Sequence, residues 1–580
     1  SPTAQPQRWK RQLGSFILLG IILLLFGIII GSLLNMNRPI TTLPSQASLA
    51  HASSTNDFLA INHLAYYAMR TMFRMIVGMF WSFLFSLVFG VLAVRYRTAR
   101  RIILPLVNFL ESVPLLGFLT FTTAWLLGLF PVNVLGVEAL AIFAVFTGQA
   151  WNIMLTLYQT VEVVPDELLD VVNQFKASPW ERFWRLEFVY SIPGLLWNVV
   201  ISQTAAWFAL VASEQATVAM PKSTTLILPG IGSYIQVALD RADYQACLWA
   251  VIALLICILV LNFLVFQPLI KASFYYKYDN GTGNAQPPKS IIYDLVQPSA
   301  LSQFCQKQFT YFKHWWLYRV PSVWYFFKLN YVFKYLSRLT TFLITLWYVS
   351  LTVIGLWAAI KLYGFLPHQD FAKIPELTYY TTLRVVLAML IAGAIFIPLA
   401  IWVASSPRRL SWLQPIGQVI GSIPSNIYTP LIILLIALGH QHLEWWTLPL
   451  IMVGCQWYFF FNVIGGYLAI PTDIQDVTHI FKLTKWRWWT QYLIPSILPY
   501  IITAIINAAG AAWNADIAAE SIQWGAHKIE VTGLGQYIAA NDGIQDKSAL
   551  GTLAMCFVVG LCIAFIWQPL YKFAREKYHY

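Results

Sequence analysis

Apolar runs of about 20 residues, the length a helix needs to cross a bilayer, recur along the chain. They fall near 15–35, 71–94, 102–128, 137–159, 191–213 and 247–269, then 339–362, 379–404, 411–438, 446–468, 494–516 and 549–571. This pattern predicts an all-α, polytopic membrane protein of about 12 transmembrane helices in two sets of six. Pro114 and Pro424 lie inside the third and ninth runs, where loss of a backbone N–H predicts a bend. The first run, GSFILLGIILLLFGIIIGSLL after RWKRQ, is long for a signal peptide and reads as a retained helix.

Basic residues orient the runs. RWKRQ before the first, RYRTARR after the second, SSPRRLSW after the eighth and KFAREK near the C-terminus fall on one side, which the positive-inside rule makes cytoplasmic, with both termini there. FPVNVLGVE, GHQHLE and segments 36–62, 214–246 and 517–548 fall on the other. The expected organisation is an N-terminal helix and outer loop (1–62), a first repeat (63–270), a linker (271–338), an extra helix of the second half (339–376) and a second repeat (377–580). The linker interleaves aromatic and basic residues without a long apolar run, which suits helices lying in the membrane interface.

Composition agrees with a membrane protein: 58% hydrophobic, 11% charged and a mean hydropathy of +0.62 exceed what a soluble domain hides. The net charge of +12 reads as membrane orientation rather than nucleic-acid binding, because the basic residues cluster at the ends of apolar runs. The six cysteines form no CxxC pair, and His440 and His442 lack a third ligand, so neither a disulfide framework nor a metal site is expected.

The two halves are copies. Laying Pro165 on Pro471 matches Asp170 with Asp476, Phe175 with Phe481, Lys176 with Lys482, Trp180 with Trp486, Trp207 with Trp513 and Glu214 with Glu520 without a gap. Upstream, TMFRM (71–75) pairs with TTLRV (381–385), and Ser112 and Pro114 pair with Ser422 and Pro424. Downstream, PGIGSYI (229–235) pairs with TGLGQYI (532–538), and QPL (267–269) with QPL (568–570). An even number of spans per half makes the repeats parallel, related by an axis along the membrane normal, with a pathway between them.

Each copy carries a polar segment between its fourth and fifth spans. Leu168, Val171, Val172 and Phe175, and Ile474, Val477, Thr478 and Phe481, recur at helical spacing. Asp166 is the expected N-cap of the first helix, and Thr472 with Gln475 forms an expected capping box in the second. Ser178-Pro179-Trp180 and Thr484-Lys485-Trp486 then start another helix, with Pro179 at the first position. Two short helices joined by a turn at Lys176 or Lys482 are expected in each cytoplasmic loop.

These segments resemble the EAA loop of binding-protein-dependent ABC importer permeases: EAA, three residues, Gly, nine residues, I-x-L-P. Asp170 and Asp476 stand at the Glu, Val171-Val172 and Val477-Thr478 at the Ala pair, and Lys176 and Lys482 at the Gly. Leu186-x-Phe188-Val189 and Tyr492-x-Ile494-Pro495 stand at the close. The S/T-x-W step and the later Ala-Trp and Glu resemble the nitrate, sulfonate and taurine branch, in its duplicated, single-chain form. The resemblance implies the type I importer permease fold in a bacterial inner membrane and no enzymatic activity on this chain. It also implies two separate ABC ATPase subunits that supply ATP and magnesium, a periplasmic or lipid-anchored substrate-binding protein, and a small anionic substrate. Asp170, Phe175, Lys176 and Trp180, with Asp476, Phe481, Lys482 and Trp486, are then the expected ATPase-coupling residues. No G-x-x-x-x-G-K-S/T phosphate loop occurs here. Lys in place of Gly predicts a turn of altered shape, since Gly best tolerates a left-handed helix end.

Pathway or gate candidates are the matched Ser112, Pro114, Ser422 and Pro424, the matched Trp207 and Trp513, and the matched Glu214 and Glu520. Gly230, Gly232, Gly533 and Gly535 join them at tight turns, and Asn514 and Asp516 as polar residues within a span. Asp516 is expected to pair with a basic group rather than face an anion. The alternative to an importer subunit is a 12-span secondary transporter, whose G-x-x-x-D-R-x-G-R-R-like loop is replaced here by RYRTARR.

Overall fold

The computed structural model describes residues 5–36, 58–112, 122, 134–162, 164–219, 228–276, 290–318, 368–439, 442–470, 478, 480–481, 485–525, 527–541, 545–567, 569–570 and 572–573, with short pieces between 342 and 364. The first half runs α1 (Gln5–Met36), α2 (Ile61–Arg95), α3 (Arg97–Ser112), α4 (Val134–Glu162), α5 (Asp166–Gln174), α6 (Pro179–Arg182), α7 (Phe188–Ala219), α8 (Ile231–Asp240), α9 (Tyr244–Leu261) and α10 (Gln267–Phe274). The linker supplies α11 (Ile291–Val296) and α12 (Ala300–Tyr318). The second half runs α13 (His368–Ala404), α14 (Pro407–Gly421), α15 (Thr429–Gly439), α16 (Leu443–Leu468), α17 (Lys485–Arg487) and α18 (Ile494–Ala519). A hairpin of β1 (Ser521–Trp524) and β2 (His527–Glu530), then α19 (Leu534–Ala540) and α20 (Gln545–Cys562), complete it.

Among the described residues, nine helices are long and apolar enough to cross a membrane, or ten if α14 and the segment from Ser425 count as one broken span. The chain is a multi-pass membrane protein. The remaining expected spans, the third and seventh, run largely through residues outside those described. The bend expected at Pro424 is present: the two helical pieces around Ser422–Pro424 meet at 78°. Pro114 lies outside the described residues.

Small residues let the helices approach. A Cβ on Gly78 would stand 2.6 Å from Val145, and one on Gly466 would stand 2.7 Å from Tyr500, so α2 packs on α4 and α16 on α18 nearly backbone to side chain. The hydroxyls of Ser82 and Ser86 on α2 donate to the carbonyls of Phe146 (3.2 Å) and Ala150 (3.1 Å) on α4. The duplication extends to helix irregularities. A π-turn at Phe183–Glu187 leads into α7 and one at Trp488–Leu493 into α18, while Asn262–Phe266 and Ile563–Trp567 form the second matched pair beside the QPL motifs.

Among the described residues, the hairpin is the one departure from an all-helical description. Ile522 is buried, Ser521 pairs with Glu530, and Gly525 takes φ +59° at the turn. Its Gly525 N–H donates to the Leu239 carbonyl (2.7 Å) and Trp524 packs on Tyr244 (4.0 Å between ring centres), so the second half's hairpin clips onto the first half.

Candidate functional site

The polar loop between α4 and α7 is two short helices, α5 and α6, joined at Phe175–Ser178. Ser178 caps α6: its hydroxyl accepts from the Glu181 N–H, the Glu181 carboxylate accepts from the Ser178 N–H, and Pro179 holds the first position. Asp166 does not cap α5 as expected. It is the first helical residue, after Pro165, and its carboxylate stabilises the helix N-terminus by charge. The turn keeps the left-handed shape that glycine would give, because Lys176 adopts φ +50° and its N–H donates to Asn173 (2.9 Å). Lys176→Gly is therefore expected to stabilise the loop by about 1 kcal/mol, relieving the Cβ clash of that conformation. Slower limited proteolysis between α5 and α6 checks it.

Phe175 is 81% exposed and Phe481, its counterpart, 71% exposed. Trp486 is likewise 76% exposed, but Trp180 is half-buried. Its indole N–H donates to the Trp316 carbonyl of α12 (3.1 Å), and its ring lies 5.4 Å from that of Trp316 and 5.7 Å from that of Trp184. Arg185 also bonds the Tyr318 hydroxyl of α12. The linker thus straps the first loop at the tryptophan expected to face a partner. Asp170, on α5, forms no hydrogen bond or ion pair among the described residues; Asp476 and Lys482, with the expected Thr472–Gln475 box and His440, lie outside them.

At the far end of α7, roughly 39 Å along the helix from Phe188, Glu214 is fully buried. It accepts from Thr71 Oγ1 (2.9 Å), Arg74 Nη1 (2.6 Å) and the Gly232 N–H (2.8 Å). Arg74 also forks onto Glu138, Nε to Oε2 and Nη2 to Oε1 at 2.7 Å each, and Arg70 bonds the same carboxylate. Two guanidiniums and two carboxylates, all at most 1% exposed, form a charge-balanced quartet. The second half repeats the clasp with fewer charges. Glu520 accepts from Thr381 Oγ1 (2.8 Å), Arg384 Nη1 (2.6 Å) and the Gly535 N–H (2.8 Å). Tyr380 stands where the first half has Arg70, and Glu444, the counterpart of Glu138, is exposed.

The glycines serve these clasps by close approach. A Cβ on Gly232 would sit 2.6 Å from the Val211 carbonyl oxygen, and one on Gly535 2.7 Å from the Ile517 Cα; Gly230 and Gly533 lie directly against the two carboxylates. Asp516, one turn before Glu520, is buried beside that carboxyl and within the charge of Arg384, the basic group expected near it, while the guanidinium's own bonds go to Glu520 and the Thr532 carbonyl. Trp207 and Trp513 are buried in the helix core, at 1% and 3% exposure.

A cavity of about 110 Å³ lies between the halves, lined by α3, α4, α7, α16, α18 and the turn at Ser425. Of the described residues singled out from sequence, only Asn514 lines it, beside Glu111, Asn152, Thr204, Ser425 and Tyr458. The Ser422 hydroxyl turns back to the Gln418 carbonyl (2.7 Å). Gly148 and its counterpart Gly454 both face the cavity, which places it on the axis relating the repeats. Glu111 carried a legible signal, an ionisable residue inside an apolar run beside the matched Ser112.

The family model described as "Binding-protein-dependent transport system inner membrane component" matches the chain twice, over residues 82–267 and 396–573. The chain is similar to the nitrate import permease protein NrtB of Synechocystis sp., at 32% identity over 139 residues, 24% of this chain and 49% of the relative. It is similar to the bicarbonate transport system permease protein CmpB of Synechocystis sp., at 30% identity over 198 residues, 33% of this chain and 67% of the relative. NrtB of Leptolyngbya laminosa is 27% identical over 172 residues, 29% of this chain and 58% of the relative. The match to the first of these spans about half the relative's length.

Proposed function

Because this chain belongs to the family of binding-protein-dependent transport system inner membrane components, we propose that it is the membrane subunit of an ATP-driven importer in which both permease halves are fused. The observation that carries the reading is the pair of matched loops, each presenting a bare phenylalanine, Phe175 and Phe481, ahead of a tryptophan. An apolar side chain exposed at the tip of a polar helix pair is a feature of docking surfaces rather than of connectors. Two separate ATPase subunits take the two loops, bind ATP and magnesium, and move the halves. The loops are cytoplasmic, as are both termini, and a substrate-binding protein delivers cargo from the opposite face.

The nitrate and bicarbonate permeases similar to this chain support a small anionic cargo. In this arrangement Asp170, Lys176 and Trp180, with Asp476, Lys482 and Trp486, flank the docking phenylalanines, and the Glu214 and Glu520 clasps fix the outer ends of α7 and α18. The test is uptake into vesicles that carry the chain with its partner ATPase and binding protein. Accumulation of nitrate, bicarbonate or a sulfonate that requires internal ATP and survives collapse of ion gradients is the expected result. Gradient-driven uptake by the chain alone would instead make it a secondary transporter.

A further inference from the structure

The cavity on the repeat axis is not symmetric in chemistry. Equivalent positions place Glu111 against Gly421, Asn152 against Tyr458, Thr204 against Gly510 and Phe208 against Asn514. Fusion of two halves in one chain permits such divergence, since each position is encoded once. The result is a chamber with a carboxylate on one side and hydroxyl and amide groups spread around the rest. No lysine, arginine or histidine is among the described lining residues, and none pairs with Glu111. Ser425, 4% exposed, lines the chamber with its hydroxyl unpartnered.

A carboxyl buried without a basic partner is ionised only when a cation reaches it, and once ionised it repels a bare anion, more strongly in a space shielded from water. A ligand that seats there stably brings a positive group to Glu111 and hydrogen-bond acceptors to the neutral donors. The volume admits roughly seven to eleven water-sized spheres, the size of a molecule with two short polar ends.

We propose that this cavity is an intramembrane binding site for a small zwitterion, with Glu111 holding its ammonium group and the Ser425 hydroxyl and Asn152 amide receiving its anionic end. The inference rests on the importer reading and narrows its cargo to anions that also carry an amine. It separates solutes of equal size and anionic group by one substituent.

The test is binding of two matched pairs, β-alanine against 3-hydroxypropionate and taurine against isethionate, to the purified full chain in lipid nanodiscs. Within each pair only ammonium and hydroxyl differ. The wild type is expected to bind the ammonium member about tenfold or more tightly, and Glu111→Gln to abolish that preference while Glu111→Asp retains it. Unchanged elution and melting of the variants show that they fold; if Glu111→Gln does not, the wild-type preference with the Glu111→Asp result decides. Equal binding within each pair, no binding of any probe, or a preference that survives Glu111→Gln in a folded variant overturns the proposal. ATP-driven nitrate uptake by a complex whose cavity shows no ammonium preference would sink this inference alone, whereas absence of ATP-driven uptake for every solute would sink the importer reading.

Discussion

Replacing Arg74 by methionine is expected to remove most of the folded chain from the membrane. Arg74 contributes three charge-assisted bonds to two buried carboxylates, and nothing else described neutralises Glu214. Without it, Arg70 balances only one of the two carboxylates, and an uncompensated negative charge remains in a site sealed from solvent. Breaking a buried ion pair from one side costs about 3–5 kcal/mol, a large part of a domain's stability. Adding Glu214→Gln restores charge balance and should recover part of the loss, because the two residues act through one network. Arg384→Met should cost less. Arg384 is partly exposed and makes one carboxylate bond and one bond to the Thr532 carbonyl, against the three carboxylate bonds of Arg74. Membrane abundance and melting temperature in detergent check the order: Arg74→Met lowest, the double variant intermediate, Arg384→Met nearest wild type.

The second large effect belongs to the loops. Phe175→Asp with Phe481→Asp is expected to leave abundance and melting unchanged, since exposed positions shift stability by about 0.5 kcal/mol or less. The same variant is expected to lose its ATPase partner. Anchoring aromatics at protein interfaces are worth about 2 kcal/mol or more each when removed, so two lost anchors take a firm complex to one that does not survive purification. The tryptophans should behave unequally. Trp486→Ala removes an exposed ring and weakens docking directly, while Trp180→Ala releases α12 from the loop, because Trp180 already holds the Trp316 carbonyl. Accelerated proteolysis of α12 in Trp180→Ala, and not in Trp486→Ala, registers that difference.

Sequence comparison of the halves carried far wherever the two copies kept the same chemistry. The gap-free register from Pro165 and Pro471 extends to the paired π-turns that open α7 and α18, which no residue pattern predicts. The pairing of TMFRM with TTLRV, and of PGIGSYI with TGLGQYI, puts the Thr, Arg and Gly of both clasps at matched positions, beside the matched Glu214 and Glu520. Register could not say that Glu214 and Glu520 would be locked inside those clasps, because burial depends on which helices close over a residue. Glu138 shows the same limit: its matched partner Glu444 is exposed, and only the first half adds Arg70.

The cavity was illegible for the opposite reason. Its walls come from helices far apart in sequence, and its facing positions are unlike, so looking for matched residues passed over Glu111, Asn152 and Thr204. The turn at Lys176 was misjudged because residue preference points to altered geometry, whereas hydrogen bonding from Lys176 and Ala177 back to α5 enforces the left-handed shape on a lysine. The cover over Trp180 came from α12, whose approach no local pattern encodes.

Two matched loops are expected to hold two motors. Purification of the intact complex from membranes, with the ratio of ATPase subunits to this chain measured by mass, tests this. Two ATPase subunits per chain in the wild type, and none in the Phe175→Asp, Phe481→Asp variant, is the expected result. A chain that purifies without any ATPase yet accumulates solute, or a variant that keeps both ATPase subunits, would contradict it.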